Sequence, residues 1–147
     1  MFSLSSGLNL AGICRNHAMP AIAINGMAEH AHILFHLPPT IALAKAVQLL
    51  KANSSKWMNE HGRKFAWQEG YSGFSVSISN TAVVAKYIRN QEQHHRKMTF
   101  DEEYKALLRK HGIVPGDMPP RKSGALFSIK LSHHLRGGLN NFALRAK

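Results

Sequence analysis

Two histidines separated by one residue, His30 and His32, have the spacing of metal ligands on a β-strand. Alternate strand residues point to the same side, so both imidazoles would lie on one face, about 6–7 Å apart at the backbone. Imidazole nitrogens at that separation can share one divalent ion. The chain has ten histidines in 147 residues, and in such a composition this pair arises by chance about 0.7 times. The pair alone leaves the metal interpretation open.

A second candidate for chemistry is Tyr87, which is followed four residues later by Gln91. On a helix these two side chains lie one above the other on the same face. Helical tyrosines belong to the core more often than they act as nucleophiles, by about ten to one. Here Val84 and Ile88 already supply an apolar stripe, and the segment 86–97 is otherwise polar and basic. These neighbours favour a tyrosine placed beside a phosphate.

Together the two motifs predict phosphodiester chemistry. A metal ion held by two histidines and an oxygen ligand, here Gln91, neutralises the charge that keeps a nucleophile away from phosphate. A tyrosine nucleophile forms a phosphotyrosine link, which stores the energy of the broken ester for later rejoining. His36 lies on the same strand face as the pair and is interpreted as a polar neighbour.

The charge of the chain indicates a polyanionic partner. The formal net charge is +11 and the isoelectric point is about 10.2. All Lys and Arg residues except Arg15 follow position 40. The run His94, His95, Arg96 and Lys97 comes soon after Gln91 and is a candidate for nucleic-acid binding, with a solvated surface as the alternative.

The single Cys14 excludes an internal disulfide and is typical of a reducing compartment. No apolar run approaches the roughly 20 residues that a membrane-spanning helix needs. We therefore expect a cytoplasmic protein without a membrane partner.

The spacing of apolar residues, together with turn and capping residues, predicts seven helices and strands. The four predicted strands cover residues 19–27, 29–37, 65–69 and 74–79, with a turn at residues 25–26. The three predicted helices cover residues 40–59, 80–95 and 99–111. Thr40 and Asn80 are candidate N-caps, and Thr99 with Glu102 forms a capping box.

The order of these elements predicts an α+β fold, with an antiparallel sheet and helices on one face. Ile33 and Phe35 alternate with the histidines on the second predicted strand, so the helices should cover their side and leave the histidine face open. One domain is predicted over residues 1–113. Residues 114–147 lose all periodicity and are predicted to form a basic, disordered tail.

Three sequence blocks, over about 100 residues, resemble the Y1 transposases of the HUH class, which include the IS200-like and REP-associated tyrosine transposases. The blocks are INGMAEHAHILFHLPPTIALAKAVQLLKANSSKW, FAWQEGYSGFSVSISN and YIRNQEQHHRKMTFDEEYKALLRKHGI. The resemblance implies a ferredoxin-like sheet. Members of the family usually begin with a strand and a connecting segment before the first helix, whereas here only residues 1–10 precede the segment 11–17. The first strand is therefore expected to be missing. The resemblance also implies that His30, His32 and Gln91 are the metal ligands and that Tyr87 is the nucleophile.

By the same resemblance, the protein cuts and rejoins single-stranded DNA near hairpins through a 5′-phosphotyrosine intermediate. It would use Mg²⁺ or Mn²⁺ and act as a homodimer, in which Tyr87 could serve either its own or its partner's metal site. The alternative is a truncated, non-catalytic remnant that still binds hairpin DNA. A more distant alternative is an unrelated basic RNA-binding module, in which the histidine pair arises by chance.

Overall fold

The structure, a computed structural model, describes residues 4–27, 30–110, 112, 114 and 126–132. Its helices are α1 (Leu4–Asn16), α2 (Leu43–Glu60), α3 (Thr81–Arg89), α4 (Gln91–His95) and α5 (Phe100–Lys110). Its strands are β1 (Ala21–Met27), β2 (His30–His36), β3 (Ser72–Val76) and β4 (Leu126–Ser132). The predicted α+β class is confirmed.

The four strands form one sheet in the order β1-β2-β4-β3. β1 and β2 pair antiparallel, with Met27 opposite His30 and Asn25 opposite His32. β4 pairs parallel with both β2 and β3. The sheet is therefore mixed, and the prediction of a purely antiparallel sheet needs this correction.

The strand β4 corrects two further expectations. A sheet without its first strand was expected, and residues 4–10 indeed belong to α1 and supply no strand, but β4 lies between β2 and β3 and pairs with both. It also lies inside the segment 114–147 that was predicted to be disordered. The physical reason is visible in LFSIKLS, a short run of four apolar residues, one of them the β-branched Ile129, that suits a strand with neighbours on both sides. The surrounding prolines, glycines and basic residues obscured it.

One face of the sheet packs on α1 and α2. Ile33 and Phe35 of β2 are fully buried against Leu10 and Cys14 of α1 and Leu50 of α2. This is the apolar face that alternation in β2 predicted, and the helices cover it as expected. A side chain of this size, fully buried, contributes about 1.5–3 kcal/mol.

The other face of the sheet is covered as well. Leu34, which points away from Ile33 and Phe35, packs with Ala85 and Ile88 of α3. Residues of α4 and α5 lie over the histidine end of the same face, and His30 and His32 are each only 1% exposed. The expectation of an open histidine face is wrong, because the helices that follow β3 return across it.

Several local boundaries differ from the prediction. α2 begins at Leu43 with Ala42 as its N-cap and without a side-chain capping bond, so Thr40 is not its cap. Gly26 belongs to β1 opposite Ala31, so residues 25–26 are ladder residues, and any turn involving residues 28–29 lies outside the described residues. A Cβ at Gly26 would collide with the carbonyl oxygen of His30, and this close approach requires glycine.

Candidate metal and tyrosine site

The two histidines of the predicted pair lie side by side on β2. Their ring centroids are 4.9 Å apart, with the rings edge to face. The predicted strand alternation therefore holds at this position. The ring of Phe100, the first residue of α5, stacks on His30 at 4.0 Å. This stacking fixes the plane of one imidazole and closes the site on the side of α5.

Tyr87 and Gln91 reach the histidines from α3 and α4. The helix predicted over residues 80–95 is interrupted at Asn90, which ends α3 and begins α4. Tyr87 is half-buried, and its ring lies 6.2 Å from the ring of His32, centroid to centroid. Gln91 is fully buried, and its Oε1 lies 3.5 Å from Nε2 of His30.

Two hydrogen bonds fix the end of α3 on the edge strand β1. The guanidinium of Arg89 donates to the carbonyl oxygen of Ile22 at 3.1 Å. The amide of Asn25 donates to the carbonyl oxygen of Arg89 at 3.0 Å. These bonds set the height of Tyr87 and Gln91 above the sheet, because both lie within two residues of Arg89.

His95 also joins the site. Its Nε2 lies 3.1 Å from Nε2 of His30 and 3.0 Å from Oε1 of Gln91. Its side chain is 8% exposed. The sequence placed His95 in a nucleic-acid-binding run, whereas the structure places it beside the predicted ligands.

A buried carboxylate, Glu103 of α5, completes the group of side chains. One of its oxygens lies 3.0 Å from Nε2 of His95, and the other lies 3.5 Å from Nε2 of His32. The side chain is only 6% exposed. Sequence reasoning missed this residue. The available signal was its position on the apolar stripe of α5, three residues after Phe100 and five before Leu108.

The predicted capping box sets the start of α5 and thereby the position of Glu103. The carboxylate of Glu102 accepts hydrogen bonds from the backbone N–H and the hydroxyl of Thr99, both at 2.8 Å. The backbone N–H of Glu102 returns a longer bond of 3.4 Å to that hydroxyl. These bonds lower the pKa of the Glu102 carboxyl below its usual value. The capping box is confirmed.

The donor atoms fit a divalent cation. His30, His32 and Glu103 each offer one ligand atom, and these three atoms lie within 4.8 Å of one another. Gln91 adds an oxygen, while its amide nitrogen is buried and has no hydrogen-bond partner among the described residues. Nitrogen and oxygen donors of this kind suit first-row divalent ions.

The other residues of the run 94–97 have surroundings different from those of His95. His94 is half-buried, with its ring 5.2 Å from that of Tyr87. Arg96 and Lys97 are exposed, and Arg96 lies 3.7 Å from Glu92 one turn earlier. Of the four candidate phosphate contacts, only Arg96 and Lys97 are exposed surface cations.

A comparison with known protein families assigns the chain to one of them. Residues 8–91 match the Y1 transposase family, described as transposase IS200-like, over more than half of the chain. The chain belongs to this family. The match extends from α1 to Gln91, so it includes His30, His32 and Tyr87 and stops short of His95 and Glu103. No curated protein and no solved structure matches the chain.

Membership of the Y1 transposases supports a transposase-type function in DNA transposition. It implies nuclease or strand-transferase activity in general and dependence on a metal ion. Among the described residues, every helix of this Y1 transposase is too short or too polar to cross a bilayer.

Proposed function

We propose that this Y1 transposase cleaves and rejoins single-stranded DNA beside hairpins, with Tyr87 as the nucleophile. The observation that carries the proposal is the approach of Tyr87 to the metal-ligand group within one chain, 6.2 Å from His32 between ring centroids. A half-buried phenol on a docked helix end is held in position and can still be reached by a substrate.

His30, His32 and Gln91 are the proposed ligands of a Mg²⁺ or Mn²⁺ ion. Their support is the convergence of two imidazoles and an amide oxygen from two separate elements. When bound, the ion would neutralise the phosphate and polarise its ester. The three side chains would hold the ion on the side of the sheet from which Tyr87 approaches.

The proposed covalent step transfers a 5′ phosphate to Tyr87. The phenolic proton passes to solvent while the tyrosine oxygen forms a bond to phosphorus. The bond between phosphorus and the 3′ oxygen breaks, and that oxygen takes a proton from solvent and leaves as a 3′ hydroxyl. Rejoining reverses the same exchange with a new 3′ hydroxyl, so the ester energy is conserved in the phosphotyrosine link.

Arg96 and Lys97 are proposed to hold the DNA backbone. They are exposed and follow the site directly, and the whole chain carries a formal charge of +11. His94, which lies against Tyr87, is a proposed further contact near the scissile phosphate. We also propose that the protein acts as a cytoplasmic homodimer. Since one chain carries all the proposed ligands and the nucleophile, the partner is not needed to supply either.

One observation favours the alternative of a non-catalytic remnant that binds hairpin DNA. His30 and His32 are each 1% exposed, and Gln91 is fully buried. A substrate phosphate can reach these ligands only if α4 or α5 moves aside, and a remnant would not need that movement.

Covalent trapping tests the proposal. Labelled hairpin DNA with a single-stranded flank, incubated with the protein and Mg²⁺ or Mn²⁺, should give a complex that survives denaturing electrophoresis. Tyr87→Phe should abolish this complex while hairpin binding persists. Tyr71→Phe is the matched control, because Tyr71 packs on the opposite core beside α1 and α2 and should leave the adduct intact.

Adduct formation by Tyr87→Phe would assign the nucleophile to another residue. Failure of the unmodified protein to form any adduct, with hairpin binding retained, would establish the binding remnant instead.

A further inference from the structure

We propose that His95 and Glu103 are additional ligands of the same ion, and that the resulting imidazole-rich centre holds Mn²⁺ and other transition ions in preference to Mg²⁺. This inference rests on the metal site of the proposed function and extends it to two residues beyond the family match.

The ring of His95 is oriented as a metal ligand. Its Nδ1 lies 3.1 Å from the carbonyl oxygen of Met98, and because a carbonyl can only accept, Nδ1 carries the proton. In the neutral ring Nε2 then holds a lone pair. A backbone carbonyl that fixes the outer nitrogen of a histidine in this way is the usual support of a metal-bound imidazole.

Around Nε2 of His95 the other neighbours are also electron-rich. Oε1 of Gln91 and one carboxylate oxygen of Glu103 each lie 3.0 Å away, and Nε2 of His30 lies 3.1 Å away. With the proton on Nδ1, the neutral ring offers none of these three atoms an N–H, so four electron-rich atoms lie close together. A cation at their centre satisfies all four atoms together.

The separations match the spacing of atoms within a coordination shell. Ligands held about 2.1 Å from an ion lie about 3.0–3.4 Å from one another in octahedral or tetrahedral geometry. The distances around His95 are 3.0 and 3.1 Å, and that between His30 and Gln91 is 3.5 Å. Little rearrangement is needed to bring these atoms to an ion.

Glu103 brings a carboxylate into a buried position. Its side chain is 6% exposed, and its two oxygens face His95 and His32. Buried carboxylates in proteins are paired with a positive charge or coordinate a metal ion. A divalent ion between Glu103 and the imidazoles fulfils this role.

The donor types determine the preference between ions. Three imidazole nitrogens, from His30, His32 and His95, with two oxygens suit borderline transition ions. Mg²⁺ prefers carboxylates, phosphates and several retained waters. A buried centre that is mostly nitrogen therefore favours Mn²⁺ over Mg²⁺.

The test measures Mn²⁺ binding directly. Calorimetry should show one Mn²⁺ site in the unmodified protein, and Mg²⁺ in about 100-fold excess should not displace the ion. His95→Ala and Glu103→Gln should each weaken Mn²⁺ binding by more than about 10-fold. Spin-echo modulation of bound Mn²⁺ should show coupling to three imidazole nitrogens, reduced to two in His95→Ala.

His61→Ala is the matched control for the loss of an imidazole. His61 also makes a hydrogen bond from Nδ1 to a backbone carbonyl, that of Trp57, but it is exposed at the end of α2. Its removal should leave the affinity for Mn²⁺ unchanged. Glu92→Gln, at an exposed carboxylate, is the control for Glu103→Gln. Circular dichroism verifies folding, and His95→Gln replaces His95→Ala if the latter does not fold.

Unchanged Mn²⁺ affinity and three nitrogen couplings in His95→Ala, together with loss of binding in His30→Ala, would overturn the proposed role of His95 while leaving the proposed function intact. Displacement of Mn²⁺ by equimolar Mg²⁺ would overturn the preference between ions. No binding of any divalent ion by the unmodified protein would overturn this inference and the metal-dependent function together.

Discussion

The ring of Tyr87 lies near two imidazoles of its own chain, 6.2 Å from the ring of His32 and 5.2 Å from that of His94 between centroids. The first of these belongs to the sheet, and the second to the helix that follows the tyrosine. Since α3 packs on β2 through Ile88 and Leu34, the distance is fixed by the core of a single chain. The proposed nucleophile and the proposed metal ligands therefore lie together within one chain, an arrangement in cis.

The cis arrangement predicts that two inactive variants cannot rescue each other. Tyr87→Phe lacks the proposed nucleophile, and a His30→Ala, His32→Ala double variant lacks two of the proposed ligands. When the two variants are mixed and allowed to exchange subunits, no denaturant-resistant DNA adduct should form. As a control, each variant is mixed with unmodified protein, and the unmodified subunits should still form the adduct. Adduct formation by the two variants together would show that Tyr87 acts at a partner's site.

Metal binding should stabilise the folded chain. The proposed ligands come from β2, α4 and α5, so the site exists only when these elements are assembled. An ion at 100 times its Kd adds about 2.7 kcal/mol, which corresponds to a rise in Tm of roughly 5–11 °C for a domain of this size. Calorimetric melting with and without Mn²⁺ measures this rise, which His30→Ala should lose. An equal rise in His30→Ala would place the ion elsewhere.

Removal of β4 should abolish cooperative folding. β4 is the neighbour through which β2 and β3 join the same sheet, so a chain ending at residue 114 would leave ladder groups of both strands unpaired. Urea unfolding followed by circular dichroism should show no cooperative transition, and Mn²⁺ binding should be lost. A chain ending at residue 136 retains β4 and is the control. Normal unfolding of the shorter chain would show that β4 is dispensable.

Binding of single-stranded DNA should depend steeply on salt and weaken when the exposed cations near the site are removed. Arg96→Ala combined with Lys97→Ala should reduce the slope of log K against log salt by about 1.4, or about 0.7 for each phosphate contact. Lys45→Ala with Lys56→Ala is the charge-matched control, because these exposed lysines contact Gln48 and Glu60 of their own helix. Equal slopes for the two double variants would remove Arg96 and Lys97 from the DNA interface.

The Cys14 thiol should be inert in the folded protein. It is fully buried in the core beside α2, and burial raises its pKa to about 11. Because the pKa is higher in the folded state, the protonated thiol stabilises the fold below the unfolded pKa, and this contribution is lost as the pH rises through about 11. Alkylation by iodoacetamide at pH 8, followed by mass spectrometry, should be more than about 100-fold slower than in urea. Similar rates in both conditions would contradict the burial of Cys14.

Local rules in the sequence predicted much of the candidate site. Alternation placed His30 and His32 on one face of β2, opposite Ile33 and Phe35, and the structure has this arrangement. The capping box of Thr99 and Glu102 also formed as expected. Each of these features depends on residues within a few positions of one another, so the chain encodes it directly.

The same reasoning failed where distant segments meet. Parallel pairing of β4 with β2 joins residues almost a hundred positions apart, and a short apolar run within a basic tail carries no local sign of its neighbours. The covered histidine face and the approach of His95 and Glu103 likewise depend on how α4 and α5 return across the sheet.

The sequence by itself therefore determined the types of the reactive residues, the face of each element on which they lie and the polyanionic character of the expected partner. Only the tertiary structure decided which strand fills the centre of the sheet, that one chain brings Tyr87 to His32, and that Glu103 faces the imidazoles. The reason is that the direction of a side chain follows from the local backbone geometry. Which distant side chains come together depends instead on the burial of apolar surface over the whole fold.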